Sequence, residues 1–115
     1  MSKFRFQDLD IWKLAIEISE KLFDIADILH HEKYYRFAEQ LRGSAMSMSN
    51  NIAEGSGSNY SKEFSQFLNI ARRSTFENAN ILIILNRRNL LQETELINLL
   101  EQLDVLCRKI TNFQK

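Results

Sequence analysis

The chain has 115 residues, no proline, three glycines confined to positions 43–57, and fifteen basic side chains balanced by fifteen acidic ones. That length makes one domain, residues 1–115, with core enough to fold alone. Neutral charge removes the simplest electrostatic case for a nucleic-acid or membrane partner, and the near absence of chain breakers points to an all-α protein.

The opening MSKFRFQDLD has neither the apolar core nor the small-residue site of a signal peptide, and no apolar run reaches membrane-spanning length, so a cytoplasmic protein without a membrane partner is expected. The first helix is predicted over 7–29, with Leu9, Trp12, Ile16, Ser19, Phe23 and Ala26 on one stripe. Asp8 and Asp10 suit its N-terminal dipole, and Glu17 and Lys21 stand at ion-pair spacing. A second row, Ile11, Leu14, Ile18, Ile25 and Ile28, asks for another neighbour, within the chain or from a second subunit.

His30 and His31 follow as a turn; adjacent residues diverge on a helix and no third histidine exists, so no metal site is expected. The second helix is predicted over 32–54, with Leu41, Ala45, Met48 and Ile52 inward and Gln40, Ser44, Ser47, Asn51 and Glu54 as a small polar row beside them. Gly43 inside it suggests close backbone approach, and Gly55 suits a C-cap. The Gly55 to Asn59 loop lacks the strand and the Gly-Lys-Ser/Thr of a phosphate-binding loop.

Ser61 is the expected N-cap of a third helix over 62–88, with Phe64, Leu68, Ala71, Thr75, Leu82 and Leu85 as its core row. The run Ile81 to Leu85 covers the whole circumference and should be buried on every side, which requires a neighbour beyond the chain's own bundle. Asn89 suits a left-handed cap with Leu90 as its apolar contact. Thr94 would then cap a fourth helix over 94–113, with Leu96, Leu99, Leu100, Leu103, Cys107, Ile110 and Phe113 on one face. The short connections give an up-down-up-down four-helix bundle, and Cys107 reads as a packing residue.

Two groups of residues are candidates for function. Glu77, in the apolar row Ile70, Ser74, Ile81 and Ile84, needs a partner, and antiparallel counting brings Arg42 within a turn of its height. An Arg42–Glu77 pair, within a polar network of Gln40, Asn51 and Glu54, is expected to set helix register. Arg72, Arg73, Arg87 and Arg88 make a basic stripe on the third helix, a candidate contact for RNA phosphates, although such charges ordinarily form a solvated face. Nothing converges as a catalytic triad or metal set, so no enzyme and no cofactor are expected.

The residues Gln40, Leu41, Arg42, the serine-rich stretch, and Asn51-Ile52-Ala53-Glu54-Gly55, followed by Glu63, Phe64, Phe67, Leu68, Ile70 and Ala71, resemble the four-helix-bundle proteins encoded in intervening sequences of bacterial 23S rRNA genes. The likeness runs from Leu9, Trp12 and Ala15 through Glu77 into the last helix. More distantly it is similar to the accessory variability proteins of diversity-generating retroelements, which associate with a reverse transcriptase and nucleic acid. The resemblance implies a ring-shaped homo-oligomer, most often a pentamer, with no established enzymatic activity; a scaffold or adaptor is the expected role, and RNA or a nucleoprotein is the alternative partner. Ser49 stands where the family usually has proline, a proline is missing near His30 and His31, and Arg42-Gly43 and Arg73-Ser74 replace the usual Arg-Arg and Gly-Ser.

Overall fold

In the computed structural model, which describes residues 3–114, a 3-10 turn over Arg5–Asp8 precedes four helices: α1 (Asp10–His31), α2 (Tyr35–Ser56), α3 (Ser61–Arg87) and α4 (Glu93–Gln114). No strand occurs among the described residues. Each helix packs on two others, α1 on α2 and α4, and α3 on α2 and α4, so α1 and α3 stand at opposite corners without touching. Neighbours run antiparallel. Asn78 on α3 bonds Ser44 on α2 and Ser74 bonds Ser47, so residue numbers rise along one helix as they fall along the other.

The core is one continuous aliphatic column through all four helices, with Ile18, Leu22, Leu41, Met48, Leu82, Leu99, Leu106 and Ile110 among its fully enclosed members. On α1 the buried line is Ile11, Ala15, Ile18, Leu22, Ile25 and Leu29, which falls between the two stripes expected from sequence. Trp12, Leu14 and Phe23 flank it as half-buried residues, while Ile28 is exposed. Two intrachain neighbours thus account for most of α1's excess apolar surface.

The helix ends differ from expectation in instructive ways. Leu9 is extended (φ −78°, ψ 126°), so the segment before α1 is a separate turn rather than its first residues. His30 and His31 close α1 instead of forming the connection. The chain reverses at Lys33, whose φ of 73° lies in the left-handed region, with Tyr34 N–H donating to Leu29 O at 2.8 Å and Lys33 N–H to His30 O at 3.0 Å. The same pair of bonds ends α3: Asn89 (φ 63°) donates to Asn86 O at 3.0 Å and Leu90 to Leu85 O at 2.8 Å. Asn89 therefore caps as expected.

At the other end of the bundle, Gly55 is not a cap. It lies inside α2 against α3, where an added Cβ would come within 2.7 Å of Phe67 Cβ and 2.8 Å of Phe64 Cδ1. Gly57 takes the cap position in a right-handed conformation (φ −81°). Close approach, expected at Gly43, belongs to Gly55, since a Cβ at Gly43 would meet nothing within 4 Å. Ser61 is the first residue of α3 rather than its N-cap, which is Tyr60 without a side-chain bond. Thr94 likewise lies inside α4, which starts at Glu93.

Candidate interaction surface on the third helix

Small residues let α2 and α3 pack closely, and polar ones knit them together. Asn51 Nδ2 donates to Ser47 O at 2.7 Å and to Ser47 Oγ at 3.0 Å. Ser74 Oγ donates to Ile70 O at 3.0 Å, which leaves it to accept the Ser47 hydroxyl at 2.8 Å. Asn78, fully buried, donates to Ser44 O at 3.1 Å and Ser74 O at 3.0 Å. Of the network expected from sequence only Asn51 takes part. Gln40, Glu54 and Glu77 are exposed, and Ser44, Ser47, Ser74 and Asn78 do the joining.

The expected Arg42–Glu77 pair does not form. Arg42 turns to the other side of α2, where Nη2 donates to Asp27 Oδ1 on α1 at 2.9 Å and Nη1 to Glu39 Oε1 at 2.9 Å. The hydrogen bond that it donates to Asp27, ahead of the one to Glu39, holds the guanidinium pKa above its ordinary value. Antiparallel counting gives height along a bundle but not direction around a helix; Arg42 and Glu77 fail on direction. Glu77 lies instead beside Ser47, Ile70, Arg73 and Ser74.

The four arginines also divide. Consecutive residues diverge by 100° on a helix, and Arg72 faces α4, its Nε donating to Thr111 Oγ1 at 3.0 Å and its guanidinium 5.3 Å from the Phe76 ring centroid. Arg73 is exposed and lines a shallow recess with Ser47 of α2, Ser74 and Glu77. Arg87 is the last residue of α3 and Arg88 its C-cap, both exposed. Arg73 and Arg87, close to four turns apart, share a side; Arg72 is committed within the fold.

What α3 presents outward is a line at spacings of three and four: Ile70, Arg73, Phe76 with Glu77, Asn80, Ile83 with Ile84, and Arg87. Phe76 is 59% exposed, Ile70 44%, Ile83 41% and Ile84 37%. The run Ile81 to Leu85 is therefore not enclosed within the chain: Ile81, Leu82 and Leu85 are buried and Ile83 and Ile84 face out. Beside Phe76 and Ile83, a groove of about 330 Å³ runs between α3 and α4 over Ala79, Leu100, Leu103 and Cys107. Cys107 is half-buried there rather than enclosed, and Phe113, expected on the core face, is 43% exposed and edge-on to Phe64 at 5.5 Å.

Among the described residues no three His, Cys, Asp or Glu side chains come together, and no helix is long and apolar enough to cross a membrane. His30 packs edge-on to Tyr35 at 4.9 Å. The outward surface of α3 offers apolar contact flanked by charged side chains.

No curated protein matches this chain. A crystal structure of a protein of unknown function from the S23 ribosomal protein family of Bacteroides thetaiotaomicron VPI-5482 superposes with a TM-score of 0.86, over 91% of this chain and 98% of that one, at 18% sequence identity. At that identity the likeness establishes the shared four-helix fold. The family model described as 23S rRNA-intervening sequence protein matches residues 7–112, and the chain belongs to that family.

Proposed function

We propose that this protein is a non-enzymatic, cytoplasmic, homo-oligomeric scaffold or adaptor whose assembled surface engages a protein or nucleoprotein partner. The observation that carries the reading is the outward line of α3, where four large apolar side chains stand exposed at helical spacing on a helix that already has its own core face. Such a second stripe on a soluble bundle is stabilised by burial against another molecule. The family resemblance supports another copy as that molecule and a ring, most often a pentamer, as the assembly.

Light scattering on the purified protein tests this reading. An assembly several times the 13.6 kDa chain is expected, and a stable monomer at that mass overturns it.

A second reading, RNA binding, has support in the exposed Arg73, Arg87 and Arg88 and in the name of the family. Titration with structured RNA at low and moderate salt separates the two. Binding that weakens steeply with salt and is lost on reversing these arginines favours RNA; no binding even at low salt removes it.

A further inference from the structure

The neutral net charge conceals a separation. From Asp10 to His31, α1 carries five carboxylates and two lysines, whereas from Ser61 through Arg88, α3 carries five cations and two carboxylates. The two helices occupy opposite corners of the bundle, so one side of the protomer is acidic and the other basic. On the outward side of α1, Glu17, Glu20 and Asp24 are exposed and form no ion pair within 4 Å among the described residues, and on α3 the same is true of Arg73 and Glu77. Lys21, at ion-pair spacing from Glu17, instead donates to Gln102 on α4 at 3.2 Å.

Height along the bundle adds a second match. Ser19 on α1 donates to Ala45 O on α2, and Asn78 on α3 donates to Ser44 O, which places Ser19 near the height of Glu77 and Asn78. Because α1 and α3 run the same way, Glu17 stands within about one turn of Arg73's height and Lys21 within about one turn of Glu77's. One helix thus reads acid then base, four residues apart, where the other reads base then acid.

The geometry points to head-to-tail self-assembly, in which the outward face of α3 in one copy packs on the outward face of α1 in the next, pairing Arg73 with Glu17 and Glu77 with Lys21 around the apolar contact of Phe76, Ile83 and Ile84. The inference rests on the oligomeric reading above and names its surfaces. A rotation about an axis along the bundle, with no shift along it, keeps the paired charges at matching heights, as closed cyclic symmetry requires. A long side of this molecule, whose extents are 44 × 28 × 22 Å, is also wide enough for a standard interface of about 800 Å² per partner.

The test uses two double reversals that leave net charge unchanged, Arg73→Glu with Glu77→Lys and Glu17→Lys with Lys21→Glu, studied by sedimentation after nuclease treatment, with circular dichroism to verify folding. Each alone is expected to weaken assembly at least about tenfold, as close interfacial charge pairs do. Combining all four changes in one chain is expected to restore it. A monomeric parent chain overturns the oligomeric reading and this inference together. An oligomeric parent with both variants assembling normally overturns the inference alone, as does an α3 reversal that the α1 reversal does not rescue. A two-fold α3–α3 contact would leave the α3 reversal without effect, because Arg73 and Glu77 would still face each other after the exchange.

Discussion

Gly43 and Gly55 lie on one helix and separate cleanly in what an added methyl group would do. Gly55→Ala drives a Cβ into Phe67 and Phe64 of α3, and a loss of about 1–3 kcal/mol in urea unfolding is expected. Gly43→Ala meets nothing within 4 Å and removes a helix-interior glycine, so a gain of about 1 kcal/mol is expected in the same measurement. Lys33 offers a comparable gain. Its φ of 73° is strained for a residue with a Cβ, and Lys33→Gly should raise stability by up to about 1 kcal/mol, whereas Asn89→Ala should lower it. The hydrogen bond from Lys3, at 2.9 Å, and then its charge hold the Asp8 carboxyl below its ordinary pKa. The stability that this pair contributes is present at neutral pH and is lost as pH falls through the folded-state value. An NMR titration of Asp8 before and after Lys3→Ala should show that pKa rise toward the ordinary carboxylate range.

Between elements, the contact of α2 with α3 is the most specific in the fold because its seam is polar as well as small. Asn78→Ala removes two buried hydrogen bonds from the middle of that seam, and a loss of about 1–3 kcal/mol is expected by chemical denaturation. Leu22→Ala on α1 tests the aliphatic column instead. It leaves a cavity among fully enclosed neighbours and should cost about 2–5 kcal/mol. The serine-rich composition of α2 made its close packing legible from sequence, because Ser44, Ser47 and Asn51 are small polar residues where a solvated face would carry longer ones. Which glycine served the approach was not legible: Gly43 and Gly55 differ only in azimuth, and azimuth depends on where α3 lies.

For the whole molecule, the decisive quantity is the state of α3's outward face. If it is covered by another copy, the melting temperature rises with protein concentration, since association draws on the folded state. Phe76→Ser, at the centre of that face, should lower the mass in light scattering and remove the concentration dependence while leaving helicity unchanged, because Phe76 lies outside the core column.

The sequence by itself determined the class, the number of helices and, to within one residue, the ends of α3 and α4. Period, absent proline, the Asn89 cap and the core row of Phe64, Leu68, Ala71, Thr75, Leu82 and Leu85 are local properties, and local properties survive without knowledge of neighbours. Lys33 escaped because nothing in a lysine favours the left-handed region; only the apolar pair Leu29 and Tyr34 flanking the reversal, like Leu85 and Leu90, could have signalled it. Tertiary structure decided everything that depends on direction around a helix. It gave Arg42 to Asp27 rather than to Glu77, turned Arg72 away from Arg73, and moved the close approach from Gly43 to Gly55. It also set α1 and α3 at opposite corners, and only that placement turns a chain of zero net charge into a protomer with an acidic side and a basic one.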